Sequence, residues 1–420
     1  MDAANLILSF GVLIFASHFL SWLFSHTKIP DALLLIIFGL IIGPAFGILA
    51  PEYFGETSQL IVTIVLITVL FQGGLNLDIR TLRNAWRSTI LISIIGFLSV
   101  MIITGLTLWV IYGFNILLAL TIGSMVGGTS SAIAVPLLRH LSASEESETV
   151  LTLESVFTDV LAIVTTIALL RAYVSNSFSA TVLTLNIFGS FFIAALIGLF
   201  IGMFWARVLS IVKQIRNSVF TTPALVFLLY GATQWLGLSG PIAVLAFSVF
   251  MGNVPRLHAY LEQRHTFLRY VLWPTSPGRE ERLLFDEITL IMQTFFFVFV
   301  GISIRLESLS TLLTGILLTV LMVITRALVI KYSVPKETTK TDATIMATMI
   351  PKGLAAAALA TLPLQLGIGE GALIQEIVYS IIVLSIITTS LLIFATHKTK
   401  LSNYYSKIFS RLSATPPNNI

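Results

Sequence analysis

Cysteine is absent from the 420 residues. Disulfides, thiol nucleophiles and cysteine-ligated metals are therefore excluded. Charge is almost as scarce. Only 10% of residues are Asp, Glu, Lys or Arg, against about a quarter in a soluble domain. There is no His-Glu-x-x-His motif and no Ser/His pair at catalytic spacing, so an enzyme buried in the membrane is the least supported class. What fills the chain is apolar: 56% of residues are hydrophobic, and they recur in runs of about 20, the length that crosses a bilayer as a helix. The first run has no basic leader and no small-x-small cleavage site, and it reads as a retained helix rather than a signal peptide.

Thirteen spans are expected, at 4–24, 30–50, 58–77, 89–111, 115–138, 149–171, 184–207, 218–236, 239–252, 287–304, 308–330, 342–365 and 373–395. Several begin at breaks such as Pro30, Gly240-Pro241 and Pro351. With the N-terminus outside and the C-terminus in the cytoplasm, 20 of the 24 Lys and Arg residues fall in inner loops or the tail. Only Arg171 and Arg305 face outward, while Arg326 and Lys352 lie within spans. One miscounted helix would swap every later loop and destroy this bias. The net charge of +4 thus reflects inner loops of a cell-membrane protein rather than a nucleic-acid partner. The long basic loop at 253–287 is expected to hold a surface helix with Tyr260, Phe267 and Trp273 at the lipid interface. His258 and His265 in that loop read as solvated residues, with pH sensing as the alternative.

The letters contain an internal repeat. Gly74-Leu-Asn-Leu-Asp78 ends the third span, and Gly301-Ile-Ser-Ile-Arg305 ends the tenth. Gly128–Pro136 in the fifth span and Gly353–Pro363 in the twelfth follow them by 54 and 52 residues. Seven spans separate the members of each pair, so the two halves are oppositely oriented, as in inverted-repeat transporters. The fifth and twelfth spans are also the interrupted ones, with Gly127, Gly128, Thr129, Ser130, Ser131 and Pro136 in one and Pro351, Gly353 and Pro363 in the other. Broken helices free carbonyls and amides at mid-membrane for ion binding, although small residues also serve close packing. The expected fold is an all-α membrane protein of about 13 transmembrane helices, an inverted repeat with two broken crossing helices.

Four charges lie well inside spans: Glu154, Asp159, Arg326 and Lys352. Counting residues from the inner helix ends puts Glu154 and Arg326 at the same depth, roughly 8–9 Å in at the helical rise of about 1.5 Å per residue. An ion pair between them would neutralise two buried charges and brace the sixth span against the eleventh, with Glu154 as a direct ion ligand the alternative. Asp159 is five residues further, about 140° around the helix axis, so one Arg does not serve both acids. Thr158 adjoins Asp159, and Thr129, Ser130 and Ser131 approach from the broken fifth span. A carboxylate among hydroxyls and freed carbonyls suits a hard monovalent cation. Protons and cations would compete for it, which yields exchange if the site opens alternately to each side. Lys352 is expected to offset the carbonyl end of a half-helix, or else to titrate as a second group.

Together these segments resemble the monovalent cation/proton antiporters, in particular their NhaP-type sodium/proton exchanger branch. The resemblance rests on Ile29-Pro30 through Gly43-Pro44, Phe71–Asp78, Gly128–Pro136, Glu154-Ser155-Val-Phe-Thr-Asp159, Thr325-Arg326-Ala327 and Pro351-Lys352-Gly353. It implies a homodimer. Residues 1–88 and 287–306 would be dimerisation helices, as would the eighth and ninth spans within 173–286, which begins with the linker seventh helix. Residues 89–172 and 307–396 would form a moving transport domain, and 397–420 a cytoplasmic tail. It implies Asp159 as the carboxylate that binds the monovalent cation, with Thr158, Thr129, Ser130 and Ser155 around it and the Glu154–Arg326 brace behind. Its cargo would be Na+ (or K+) and H+, with no resident cofactor, and its role pH homeostasis. The chain departs from the branch at two places: Thr158 stands where Asn is usual, and Ser130 where a Thr-Asp pair has its Asp. Both shift it toward the potassium-efflux branch, and Thr158 in place of a second Asp favours one-for-one electroneutral exchange. The alternatives are a sodium-coupled symporter of the same fold, which needs a roomier polar cavity, and an ion channel or sensor, which needs no proton coupling.

Overall fold

The computed structural model describes residues 11–12, 14–19, 22–23, 31–76, 79–130, 133–134, 144–175, 180–215, 218–264, 276–304, 308–398 and 408–412. Helices fall at every expected span. The described residues of the first span are helical. Helix α1 (Asp31–Leu40) runs into a π-helical turn at Ile41–Ala45 that carries Pro44. Then come α2 (Gly55–Asn76), α3 (Ile79–Tyr112), α4 (Ile116–Met125), α5 (Glu145–Ser175), α6 (Ala180–Val212), α7 (Thr221–Trp235), α8 (Gly240–Arg264) and α9 (Arg279–Ser303). The chain continues with α10 (Leu309–Ser333), α11 (Lys340–Thr348), α12 (Leu354–Ala360), α13 (Leu362–Gln365) and α14 (Gly371–Lys398). Among the described residues there is no β-strand. Thr89–Tyr112, Glu146–Ser175, Phe192–Val212, Arg279–Ser303, Leu309–Ser333 and Gly371–Ala395 are each long and apolar enough to cross a membrane.

Local chemistry sets the helix ends. Gly113 turns the chain out of α3 at φ +64°, a conformation that favours glycine. Asn115 then accepts the Leu117 amide at 2.9 Å and caps α4. Helices outrun the apolar windows where the chain leaves the membrane, because backbone hydrogen bonding needs no hydrophobic residue. Helix α3 begins at Ile79 rather than 89, α9 at Arg279 rather than 287, and α8 runs on to Arg264 instead of ending near 252. The expected surface helix is in part this extension of the ninth span. Pro30, Asp78, Ser131, Pro136, His265, Phe267, Trp273 and Arg305 lie outside the described residues, as do the side chains of His258 and Tyr260.

Contacts divide the chain into two compact units, one of residues 1–59, 81–176 and 294–420, the other of 60–80 and 177–293. In the second, α8 packs against α6 and α7, and Phe71 is buried against Phe285 and Phe247, with ring centroids 4.2 and 6.0 Å away. In the first, α4 packs on α5 and α10 on α14, with α12 touching α4, α5 and α14.

Glycines record the inverted repeat in three dimensions. In the first unit, a Cβ on Gly39 would run into the Val298 carbonyl and Gly301, and one on Gly301 into the Ile36 carbonyl and Gly39, so the second and tenth spans cross at backbone contact. In the second unit, a Cβ on Gly74 would strike Ser248, and one on Gly252 the Leu75 carbonyl. The third and ninth spans thus make the same kind of crossing, displaced by seven spans.

Candidate functional site

Both interrupted spans are broken in fact. Helix α4 stops at Met125, the Gly127 amide closes a last turn on Ser124 O at 3.3 Å, and Gly128–Ser130 run on without helical hydrogen bonding until the Ala134 amide donates to Ser130 O at 2.9 Å. Helix α11 stops at Thr348, and α12 starts at Leu354. Pro351, which has no amide hydrogen, sits between them.

The two breaks meet. The Ser130 amide donates to the Pro351 carbonyl at 2.8 Å. The Lys352 ammonium donates to the Gly128 carbonyl at 2.8 Å, and the Lys352 amide to Ser385 Oγ of α14 at 3.0 Å. A Cβ on Gly353 would overlap the Ser130 side chain, so the missing side chain is what lets the breaks touch. Lys352 is 2% exposed, so its charge is held by protein rather than water. The carbonyl it compensates belongs to the fifth span, not to its own half-helix.

On α5, Glu154 and Arg326 of α10 form a two-pronged ion pair. Arg326 Nη2 donates to Glu154 Oε2 at 2.7 Å, and Nη1 to Oε1. Arg326 Nε also donates to the Met346 carbonyl at 3.0 Å. With side-chain exposures of 6% and 2%, neither group has water to fall back on.

Thr158, buried one turn along α5, accepts the Thr129 amide at 3.1 Å and donates its proton to Ser155 O at 3.2 Å; its hydroxyl is 3.4 Å from that of Thr129. Thr158 therefore caps an amide freed by the break, and its remaining lone pair is what it has left for a ligand. The Ser155 hydroxyl donates to Thr152 O at 3.0 Å. The Ser130 hydroxyl faces Gly353.

Asp159 is half-buried. A Cβ on Gly128 would stand 3.3 Å from its Oδ1, which puts the carboxylate beside the fifth-span break. Lys352, bonded to the Gly128 carbonyl, is the buried cation held at the same break. Among the described residues the carboxylate makes no hydrogen bond and no ion pair. The structure thus brings Asp159, Thr158, Thr129, Ser130 and Lys352 to one place around Gly128. Glu154 and Arg326 are joined to each other, not to Asp159. No group of three or more His, Asp or Glu able to hold a multivalent metal occurs among the described residues.

Sequence reasoning missed Asp342. Its carboxylate accepts the Ser144 amide at 2.9 Å and the Thr339 hydroxyl at 2.8 Å, tying the start of α5 to the start of α11. The Thr339-x-x-Asp342 spacing is a capping box, and that was the available signal.

Comparison with known proteins fits this geometry. The chain is 26% identical over 261 residues to the K(+)/H(+) antiporter NhaP2 of Shewanella oneidensis, covering 60% of this chain and 45% of that protein. It is 26% identical over 302 residues to Na(+)/H(+) antiporter 1 of Methanocaldococcus jannaschii, covering 67% of this chain and 65% of that protein. The chain thus spans from under half to about two thirds of the length of these relatives. Its fold matches the structure of the sodium proton antiporter MjNhaP1 from M. jannaschii at pH 8 with a TM-score of 0.72 and 22% identity, over 93% of this chain and 100% of that one. The family model for the transmembrane sodium/hydrogen exchanger matches residues 13–398, and the chain belongs to that family.

Proposed function

We propose that this chain is a secondary monovalent cation/proton antiporter of the cell membrane, in which Asp159 is taken in turn by a proton and a cation. One observation carries the reading. Of the four charges inside the spans, Glu154 and Arg326 satisfy each other and Lys352 is bonded to the Gly128 carbonyl, while the Asp159 carboxylate stands at the crossing with no bonded partner among the described residues. A carboxylate kept in a membrane without a partner needs a ligand of its own. The paired hydroxyls of Thr129 and Thr158 supply neutral oxygens to the cation, and Ser130 and Ser155 hold the backbone around them.

Sodium is the expected cation and potassium the alternative; relatives are named for both. The helices of 89–172 and 307–396 act as the transport domain in an alternating-access cycle, and all lie in one compact unit. The remaining spans serve as the scaffold of a homodimer. The N-terminus is outside and the C-terminus cytoplasmic, on the strength of the basic inner loops.

The test is reconstitution in liposomes with a pH dye, an imposed proton gradient, and sodium, potassium or lithium added in turn. The gradient collapses on cation addition in the wild type and not in Asp159→Asn. Equal collapse in both proteins would refute the assignment. Collapse without added cation would favour a channel.

A further inference from the structure

A cavity of about 20 Å³ adjoins the Glu154–Arg326 pair. It is walled by Gly96, Phe97 and Val100 of α3 and by Thr129, Glu154, Thr325, Arg326 and Lys352, among others. That volume holds one water, and the wall offers it more than the two polar partners a buried water needs. No organic ion fits.

The wall of α3 continues as a polar stripe. Thr89 and Ser93 are 0% and 1% exposed, and neither hydroxyl has a hydrogen-bond partner among the described residues. Thr104 is in the same condition one turn beyond Val100. At 100° per residue, positions 89, 93, 96, 97, 100 and 104 fall within an arc of about 100°. The opposite face carries the exposed Leu91, Ile94, Ile95, Leu98, Ile102 and Leu106. Thr89 stands about 10 Å along the axis from Gly96 at the helical rise, toward the end of α3 assigned to the cytoplasm. Buried hydroxyls without partners are rare, and each lacks a bond that water can supply. Here they line up with a water-sized polar chamber.

We infer that the buried face of α3 carries water from the cytoplasmic end, past Thr89 and Ser93, to the chamber shared by Glu154, Arg326 and Lys352. This is a route for protons only. Its chamber is too small for a hydrated cation, and it leads to Lys352 at the Gly128 break, where Asp159 stands. Protons reach the crossing through it by hopping between water and hydroxyl oxygens, while the cation approaches Asp159 separately. The inference rests on the antiporter reading for its purpose and on the assigned orientation for its direction, but the water itself depends on neither.

The absence of cysteine makes the test clean. Thr89→Cys and Ser93→Cys are compared with the lipid-facing Ile94→Cys and Leu98→Cys in inside-out vesicles, using a small charged methanethiosulfonate. Because the thiolate is the reacting form and needs water to exist, Ser93→Cys is expected to react at least about tenfold faster than Ile94→Cys from the inner face. Equal rates would overturn the inference. Faster reaction only from the outer face would uphold the water and reverse the orientation. A second measurement uses Ser93→Val, which removes the hydroxyl. Proton-driven exchange is expected to slow severalfold while sodium binding at fixed pH stays at the wild-type level. Unchanged exchange would refute the proton route. Fast labelling of Ser93→Cys together with a wild type that exchanges no cation would sink the antiporter reading and leave the hydrated path standing.

Discussion

Replacing Arg326 by Met should be among the most damaging single changes outside the Asp159 site. Arg326 gives two bonds to Glu154 and one to the Met346 carbonyl, all out of water. Its loss leaves a carboxylate uncompensated in the interior, which costs about 3–5 kcal/mol. The stranded carbonyl adds about 1 kcal/mol. Glu154→Leu alone should cost a similar 3–5 kcal/mol, because it leaves a buried guanidinium. The double variant removes both charges and fills the space with apolar groups. It should sit within about 1–2 kcal/mol of wild type, the residue of the cost being the Met346 carbonyl. Denaturant unfolding in detergent micelles measures all four proteins, and the cycle should return a coupling larger than about 3 kcal/mol. Additive losses, with the double variant as unstable as both single changes together, would refute the view that the pair exists to cancel its own charges. The same double variant, assayed in liposomes, separates the two roles open to Glu154. Retained cation-dependent exchange makes the pair a brace; a folded but inactive double variant makes Glu154 a ligand.

Two further outcomes follow from the crossing. Gly353→Ala drives a methyl into the Ser130 side chain and should cost about 1–3 kcal/mol; adding Ser130→Gly should recover most of that, and an unfolding midpoint indifferent to Gly353→Ala would show that the breaks do not touch. Acidifying the cation side should raise the apparent KM for the cation and leave the rate at saturating cation unchanged, since both ligands want one carboxylate. A fixed KM with a falling maximal rate would place the inhibitory proton elsewhere.

Much of this architecture was legible because membranes simplify the code. With backbone groups barred from lipid, a span must be helical, so apolar length located thirteen helices. Gly127-Gly128 and Pro351 marked the breaks because no regular helix tolerates them well. Glu154 and Arg326 could be paired by depth alone, since the helical rise is fixed. Azimuth was harder. Nothing in the letters says that Lys352 reaches 224 residues across to Gly128 O, or that Ser130 rather than a bulkier neighbour faces Gly353. Those contacts depend on how far each broken segment is rotated about its axis, which small residues leave undetermined. Thr158 shows the limit most clearly. Its place beside Asp159 reads as a cation ligand, and nothing in the letters says that one lone pair of its oxygen also accepts the amide opened by the break at Thr129.

The charge arrangement bears on stoichiometry. Glu154 with Arg326 sums to zero whether or not cargo is present. A single proton or a single monovalent cation on Asp159 changes the charge of the crossing by the same amount, so an exchange that uses this carboxylate alone moves no net charge. The Ser130 position is where a second acid would alter that count, and Ser130 carries none. Among the four charges inside the spans, Lys352 is the one left to break the balance, by releasing its proton during the cycle. Its ammonium is held by the Gly128 carbonyl, one backbone step from the threonine amide that Thr158 caps and one missing methyl from Asp159. Any movement that separates the two broken spans must strip that bond from Lys352 and disturb the surroundings of Asp159 together. On the antiporter reading proposed above, the coupling between the two groups is mechanical as well as electrostatic, and the number of protons exchanged per cation depends on whether this one hydrogen bond survives the conformational step.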